Sequence, residues 1–398
     1  MIKKLYKESP FYPGKPLTRE TLDLFVGREK EIEDVKSYLN RVKSGRYENI
    51  FIVGERGIGK SSFASLISYL AERENFLTMH VFLGQANKLT DIIKYILNAL
   101  IDSVQSQNLY ERIKDLFEKY VESVNILGFV KFNFKAPENI LETILMNFPT
   151  ALNNVWNKIA RFKKGILIIL DDINGFVRFD FANWFKSFSD KVSIEFPHLP
   201  LLMIITALPE HRTKLMEIQP SLMRIFRIIE IDILREKDIK EFFKKSFAKV
   251  NVKIEDEALK DLVFFSGGFP LLMHEIGEAV FFADEDGVID SGDVAAGVIE
   301  AANNIGRKYI DPKIYNFVRN DKYKKILKIM GEQRIKREFA KNEISRFLNE
   351  KEKNRLNNFL RYLEKEGIIE RDISRGRGYY RFLNELYPLY FWMIAEEL

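Results

Sequence analysis

Residues 54–61 carry a pattern of residue types that suits the binding of phosphate groups. They read Gly-Glu-Arg-Gly-Ile-Gly-Lys-Ser and satisfy G-x-x-x-x-G-K-[ST] at every fixed position. Glycines let the backbone curl so that several N–H groups point at phosphate oxygens, and a following helix adds its positive N-terminal end. We expect Lys60 to reach the β and γ phosphates and Ser61 to hold Mg²⁺. The residues assigned to this site are Gly54, Glu55, Arg56, Gly57, Ile58, Gly59, Lys60, Ser61 and Ser62.

Such a loop requires an acidic residue at the end of another buried strand. The run Ile166–Leu170 is apolar throughout and is followed by Asp171 and Asp172. We expect Asp171 to hold the Mg²⁺ ion through water and Asp172 to polarise an attacking water molecule. Because Asp171 lies 111 residues after Lys60, an insertion is predicted near residues 108–160.

The elements that would position these residues are short apolar runs separated by helical stretches. Such an alternation predicts an α/β fold with a doubly wound parallel sheet that is covered on both faces. Helices are predicted where apolar residues recur at helical spacing, including residues 88–123 and Ala151–Arg161. Residues 126–134 alternate and predict a hairpin. The predicted strands are Asn49–Val53, Leu77–Leu83, Ile166–Leu170, Leu201–Ile205 and Ile225–Leu234.

Composition excludes several classes of protein. The 398 residues are 46% hydrophobic and 30% charged, which is not the composition of a disordered chain. The chain has no cysteine, which excludes a disulfide framework, a thiolate zinc site and a cysteine nucleophile. Its four histidines are scattered without metal-ligand spacing. With no apolar run long enough to span a membrane, we expect a soluble protein of the cytoplasm.

Four further segments resemble motifs of the AAA+ ATPases and of their STAND relatives. Residues 26–31 (Val-Gly-Arg-Glu-Lys-Glu) resemble the box that precedes the phosphate loop, and Leu201–Thr206 resembles the sensor-1 strand. Residues 221–226 resemble the segment that leads to the fifth core strand, where many members place an arginine finger. Residues 267–272 (Gly-Gly-Phe-Pro-Leu-Leu) resemble the G-x-P motif of the STAND helical lid. Over residues 24–305 the chain is thus similar to the archaeal-type ATPases of the STAND class.

This resemblance implies an ATPase that converts ATP and water to ADP and phosphate and that uses Mg²⁺. It implies that the backbone at Val26 and Gly27 lines the adenine pocket, with Pro270 against the base or ribose. It also implies that Thr206 senses the γ-phosphate and that Arg224 acts as the arginine finger. Such proteins carry a helical lid and usually a C-terminal winged helix. We therefore predict an arm and ATPase core over residues 1–234, a lid over 235–307 and a winged helix over 308–398.

Two positions depart from the AAA+ pattern. The usual Asp-Glu pair is Asp171-Asp172 here, and the shorter second carboxylate is less suited to placing water. The lid helix carries His274 and has no arginine between Gly268 and Phe282, so a sensor-2 arginine is absent. Both departures favour a slowly hydrolysing switch over a motor.

The last section has the element order and the charge of a partner-binding winged helix. Residues 321–398 hold 18 Lys/Arg and 13 Asp/Glu, which accounts for the whole net charge of +5. The spacing of Leu356, Phe359, Leu360 and Leu363 predicts a helix, which Gly367 ends, and a hairpin follows. Arg and Asn side chains read guanine and adenine in the major groove. The candidate contacts to DNA or to another partner are Asn354, Asn358, Arg361 and Lys365 on the helix and Arg375 and Arg377 on the hairpin.

Three interpretations follow from these observations. The first is an ATP-binding regulatory switch whose winged helix docks on a protein or within the chain. The second is a DNA-binding ATPase similar to the archaeal origin-recognition initiators. The third, a small-molecule kinase, has no evident need for the lid and the winged helix. The partners considered are therefore ATP or ADP, DNA, a protein and further copies of the chain, without a membrane.

Overall fold

The apolar runs of the sequence become the strands of one parallel sheet. The computed structural model describes residues 8–103, 116, 121–126, 129–318 and 320–397. Its chain divides into a core unit, Pro16–Asp232, and a C-terminal unit, Ile233–Leu398 with the N-terminal residues up to Lys15. Among the described residues, no helix combines the length and the apolar character that crossing a bilayer requires.

The core unit alternates strands and helices along the chain. Its strands are β1 (Tyr47–Val53), β2 (Leu77–Phe82), β3 (Val121–Ile126), β4 (Phe129–Phe134), β5 (Ile166–Asp171), β6 (Leu201–Ala207) and β7 (Arg227–Glu230). Its helices are α1 (Glu29–Lys43), α2 (Lys60–Arg73), α3 (Leu89–Ser103), α4 (Glu138–Met146), α5 (Phe148–Ile159), α6 (Phe179–Glu195) and α7 (Pro209–Ile218).

Five strands form the main sheet, in the order β2-β5-β6-β1-β7, and every neighbouring pair is parallel. Strands β5 and β6 are buried along their whole length, which is why they read as unbroken apolar runs in the sequence. The predicted doubly wound α/β fold is confirmed. The strand predicted over Ile225–Leu234 is much shorter, because β7 lies at the sheet edge and only Ile229 of its four residues is buried.

The crossover from β2 to β5 is longer than one helix. It holds α3, the antiparallel hairpin of β3 and β4, and then α4 and α5. The predicted hairpin is confirmed and begins earlier, at Val121. The helix predicted over residues 88–123 is therefore wrong at its end, and most of residues 104–120 lie outside the described residues.

The C-terminal unit begins with four helices and continues into a small three-stranded sheet. Its helices are α8 (Glu236–Ala248), α9 (Asp256–Ser266), α10 (Pro270–Ala283), α11 (Ser291–Ile305), α12 (Asp311–Val318), α13 (Asp321–Glu332), α14 (Lys341–Ser345), α15 (Glu350–Lys365) and α16 (Leu386–Glu397). Its strands are β8 (Lys253–Ile254), β9 (Val288–Ile289), β10 (Glu338–Ala340), β11 (Ile369–Arg371) and β12 (Tyr379–Phe382).

Helices α13 to α15 and the antiparallel sheet β10-β12-β11 have the arrangement of a winged helix. The predicted apolar face of α15 is buried in its core. Phe347, which precedes this helix, is 44% exposed, and the guanidinium of Arg346 lies 4.7 Å from its ring. The aromatic segment before the C-terminus packs inward as α16, and Trp392 donates to the carbonyl of Ile335.

Phe11 anchors the N-terminal arm in the C-terminal unit. Its side chain is buried, with its ring 5.1 Å from that of Phe247 on α8. A Cβ atom at Gly277 of α10 would lie 2.3 Å from the Phe11 ring, so this contact requires glycine. The N–H of Tyr12 donates to Nδ1 of His274, 3.1 Å away. Burial holds the pKa of His274 at about 4, so its imidazole is neutral near pH 7 and accepts this bond.

We expect the C-terminal unit to lose stability as the pH falls from about 6.5 towards 4. In this window the unfolded state binds a proton at His274 and the folded state does not, so protonation favours unfolding. At pH 5 the loss should be about 2 kcal/mol. His274→Gln keeps an acceptor for Tyr12 and does not titrate, so its loss should be smaller. Urea unfolding at pH 7 and pH 5 tests this, with the exposed His198→Gln as control. Equal losses in all three proteins would contradict it.

Candidate functional site

The glycine loop joins β1 to α2 and leaves no room for side chains at its start. A Cβ atom at Gly54 would lie 2.7 Å from the carbonyl oxygen of Ile231, which follows β7. Gly57 and Gly59 have φ angles of +81° and +94°, a region that glycine adopts without strain. The loop is therefore a cradle of backbone amides at the N-terminus of α2, which fits a phosphate group.

The ammonium group of Lys60 lies within this loop. Its Nζ atom donates to the carbonyl oxygens of Gly54 at 2.7 Å and of Glu55 at 2.8 Å. Burial lowers the pKa of Lys60, while the carboxylates of Asp172, Glu55 and Asp171 act in the opposite direction. The cation thus lies in the field of Asp171, the last residue of β5, and of Asp172, which follows it.

Asp171 is a buried carboxylate held by several donors. Thr206 Oγ1 donates to its Oδ1, and His80 Nε2 lies 3.1 Å from its Oδ2. Burial by itself would raise the pKa of Asp171, but hydrogen bonds from His80, Thr206 and Ser61 outweigh burial and lower that pKa. The residue is therefore an anion at neutral pH, and its partner Ser61 lies in the first turn of α2.

Asp172 has a different environment. Its side chain is exposed and its backbone is left-handed, with φ of +62°. Its N–H donates to Thr206 Oγ1 at 2.8 Å, and its Oδ1 accepts from the amide of Asn174. Asn174 Oδ1 in turn accepts from the N–H of Leu208, 3.2 Å away, so the loops after β5 and β6 are tied together.

Strand order explains why these residues meet. β1, β6 and β5 are neighbours, with Thr206 in register with Ile52 and Ile205 in register with Leu170. The carboxyl ends of parallel strands lie at one edge of a sheet, where α/β proteins bind ligands. This edge brings together Lys60, Ser61, Asp171, Asp172 and Thr206.

The segment before α1 is linked to the loop by a residue to which the sequence analysis assigns no role. Val26 is buried, and Gly27 and Arg28 both have φ near +66°. The buried Arg28 donates from Nη2 to the carbonyl oxygen of Ile58, 3.4 Å away. The box Val-Gly-Arg thus contacts the glycine loop directly. His80 and Asn174 are further residues of the site that sequence reasoning missed.

The other assigned residues differ in exposure and in secondary structure. Glu55 and Arg56 are exposed, and the hydroxyl of Ser62 accepts from the N–H of Leu17 at 2.9 Å. Arg224 is exposed at the end of a short 3₁₀ helix before β7. Pro270 is the first residue of α10 in the C-terminal unit.

The outer face of α15 is a second candidate surface. Asn354, Asn358, Arg361 and Lys365 are all exposed, opposite the buried apolar face. On the neighbouring hairpin loop, Arg375 pairs with Glu338 and lies 3.5 Å from Asp372. Within the described part of the chain, Arg377 has no such carboxylate partner. Hence the charge of Arg375 is paired with a carboxylate, whereas that of Arg377 is not paired within the described residues.

Comparison with known proteins finds a family model that matches the first part of the chain. The AAA ATPase domain model matches residues 24–194. An uncharacterized HTH-type transcriptional regulator of Methanocaldococcus jannaschii is 30% identical over 104 residues, which are 26% of this chain and 25% of that protein. The chain thus spans about a quarter of the length of that relative.

Two solved structures are similar over nearly the whole chain. A Walker-type ATPase of Pyrococcus abyssi superposes with a TM-score of 0.57 at 16% identity, covering 96% of this chain and 99% of that one. The ORC2 protein of Aeropyrum pernix, in ADPNP–ADP complexes, gives 0.56 at 12% identity, covering 98% and 96%. At such identities the likeness shows a shared fold.

Proposed function

Because residues 24–194 match the AAA ATPase domain model, we propose that the chain is an ATPase of the P-loop AAA+ superfamily that acts as a nucleotide-dependent switch with slow ATP hydrolysis. ATP and ADP are the proposed ligands of the glycine loop, and the winged helix is the proposed output module. The observation that carries this proposal is the meeting of Lys60, Asp171 and Asp172 at one sheet edge.

The residues at this edge fit Mg²⁺. Magnesium prefers oxygen ligands and usually keeps several waters. The Ser61 hydroxyl would be a ligand beside the loop, and the Asp171 carboxylate would hold the ion through water. When bound, the ion would neutralise charge on the phosphates. Lys60 would hold the β and γ phosphates. The backbone at Val26 and Gly27 would line the adenine pocket, by resemblance to the STAND ATPases.

Asp172 is the proposed group that orients the attacking water. Its short side chain already bonds to Asn174, and its backbone is in a strained left-handed conformation. Both features support slow turnover. Thr206, as the partner of Asp171 and of the Asp172 N–H, would hold both acidic residues in place near the γ-phosphate. Arg224, which is exposed, is proposed as a finger, and Pro270 as a contact to the base.

A switch requires that nucleotide bind two arrangements of the chain with different affinity. The division of the chain into two units supports such a device, since the polypeptide passes between them after Lys15 and after Asp232. ATP and ADP would favour different arrangements and so change the availability of the winged helix.

Lys60→Ala should abolish ATP hydrolysis and weaken ATP binding, because it removes the cation that faces the phosphates. Phosphate release and the binding of a fluorescent ATP analogue measure the two effects. Lys214→Ala, an exposed lysine of the same unit, is the matched control and should behave like the wild type. Wild-type turnover in Lys60→Ala would refute the site.

Asp172→Asn should slow hydrolysis on the order of 10²-fold or more while ATP still binds, because the amide no longer accepts a proton from water. Single-turnover hydrolysis and equilibrium ATP binding separate these steps. Asp190→Asn, on an exposed face of α6, is the control. Loss of ATP binding in Asp172→Asn would instead assign this residue to the Mg²⁺ site.

The second candidate function is a DNA-binding ATPase similar to the archaeal origin-recognition initiators. The specific observation in its favour is the exposed face of α15, where Asn354, Asn358, Arg361 and Lys365 lie together on the third helix of a winged helix. Helices in this position enter the major groove in DNA-binding proteins. Docking on a protein or within the chain is the alternative use of this face.

DNA binding should depend on Arg361 and Arg377 more than on Arg375, because Arg375 is already paired with Glu338. Labelled duplex DNA is titrated by fluorescence anisotropy in a salt series, with ADP and with a non-hydrolysable ATP analogue. Arg361→Ala and Arg377→Ala should each weaken binding and, for a phosphate contact, lower the salt slope by about one. Arg375→Ala is the matched control. No binding at low salt with either nucleotide would identify the winged helix as a docking module.

A further inference from the structure

His80 lies inside β2, on the strand next to β5, and its ring reaches the carboxylate of Asp171. The distance from Nε2 to Asp171 Oδ2 is 3.1 Å, and the side chain is 13% exposed. The ring of Phe82 stacks on the imidazole, with centroids 4.5 Å apart and planes 27° apart. The imidazole is thus held on one side by an aromatic ring and directed at the acidic residue.

The two carboxylate oxygens of Asp171 have different partners. Thr206 Oγ1 donates to Oδ1, while His80 Nε2 approaches Oδ2. Since a carboxylate accepts and does not donate, the Nε2 atom must carry the proton of this bond. With a donor on each oxygen, rotation of the carboxylate about its Cβ–Cγ bond would break both hydrogen bonds. Its orientation is therefore fixed before any ion binds.

We propose that His80 is a positioning residue for magnesium binding, which holds the Asp171 carboxylate in the orientation that accepts the ion. The proposal rests on the proposed ATPase function, since it assigns Asp171 to the Mg²⁺ site. Removal of a hydrogen-bond partner that orients a side chain of a metal site commonly changes metal affinity by 10- to 100-fold. Thr206 has this role from β6, and His80 has it from β2 on the opposite side of β5.

His80 can be reached from outside the site. Its ring lines a cleft of about 520 Å³ between α2, β2 and α3, together with Ser68, Thr78 and Ala99. Removal of the imidazole would leave a space that opens into this cleft. Added imidazole can therefore enter the space and restore the lost donor.

A pair of amide variants separates positioning from packing. The amide nitrogen of His80→Gln can occupy the place of Nε2 and donate to Asp171, whereas the shorter His80→Asn places its amide near Nδ1. We expect His80→Gln to bind the ion nearly as the wild type does and His80→Asn to bind it on the order of 10-fold more weakly. If His80 acted through packing alone, the two amide variants would lose the same ion affinity. His198→Asn, at an exposed position, is the matched control.

The measurement is Mn²⁺ binding to the full chain with ADP, followed by electron paramagnetic resonance, and ADP binding without metal is measured separately. Equal Mn²⁺ affinity in His80→Asn, His80→Gln and the wild type would overturn the role of His80. In that case nucleotide binding by the wild type would leave the ATPase proposal standing. Failure of the wild type to bind ADP would overturn both.

Rescue gives a second test within one protein. His80→Ala should bind Mn²⁺ on the order of 10-fold more weakly than the wild type, and millimolar imidazole should recover most of this loss. Thermal unfolding with and without imidazole shows whether the fold itself changes. An affinity that imidazole leaves unchanged, in a protein that melts as the wild type does, would overturn the proposal.

Discussion

The burial of one charged carboxylate, that of Asp171, is the constraint on which the core unit depends. A buried anion is costly unless hydrogen bonds replace the water that it loses. The replacements come from three separate elements, with Thr206 on β6, His80 on β2 and Ser61 on α2. Only the observed sheet order makes β5 the neighbour of both β2 and β6. The same strand order therefore forms the sheet and brings the partners of Asp171 together.

Three glycines allow a close approach between segments that are far apart in the sequence. Gly54 lets the glycine loop pass against Ile231 beyond β7. In the C-terminal unit, Gly277 admits Phe11 of the arm, and Gly306 lies against the ring of Tyr390 on α16. The absence of a side chain at these positions sets how near two segments approach.

Local patterns in the sequence predict the α/β architecture and the residues that meet at the sheet edge. The phosphate-loop pattern, the apolar strand that ends in Asp171 and the helical spacing on α15 each depend on residues that are near neighbours in the chain. The confirmed α/β fold follows from such patterns, as does the confirmed likeness to AAA+ ATPases over the matched segment. The assigned roles of individual site residues remain predictions.

Neighbouring residues along the chain determine the glycine loop, the strand ends and the faces of the helices, so these features can be predicted from the sequence. The tertiary structure alone decided the contact of His80 with Asp171, that of Arg28 with Ile58, and the pairing of Arg375 with Glu338. In the first of these, the partners are 91 residues apart along the chain. Such pairs depend on strand order and on the register between segments far apart in sequence, for which a single chain carries no local periodicity.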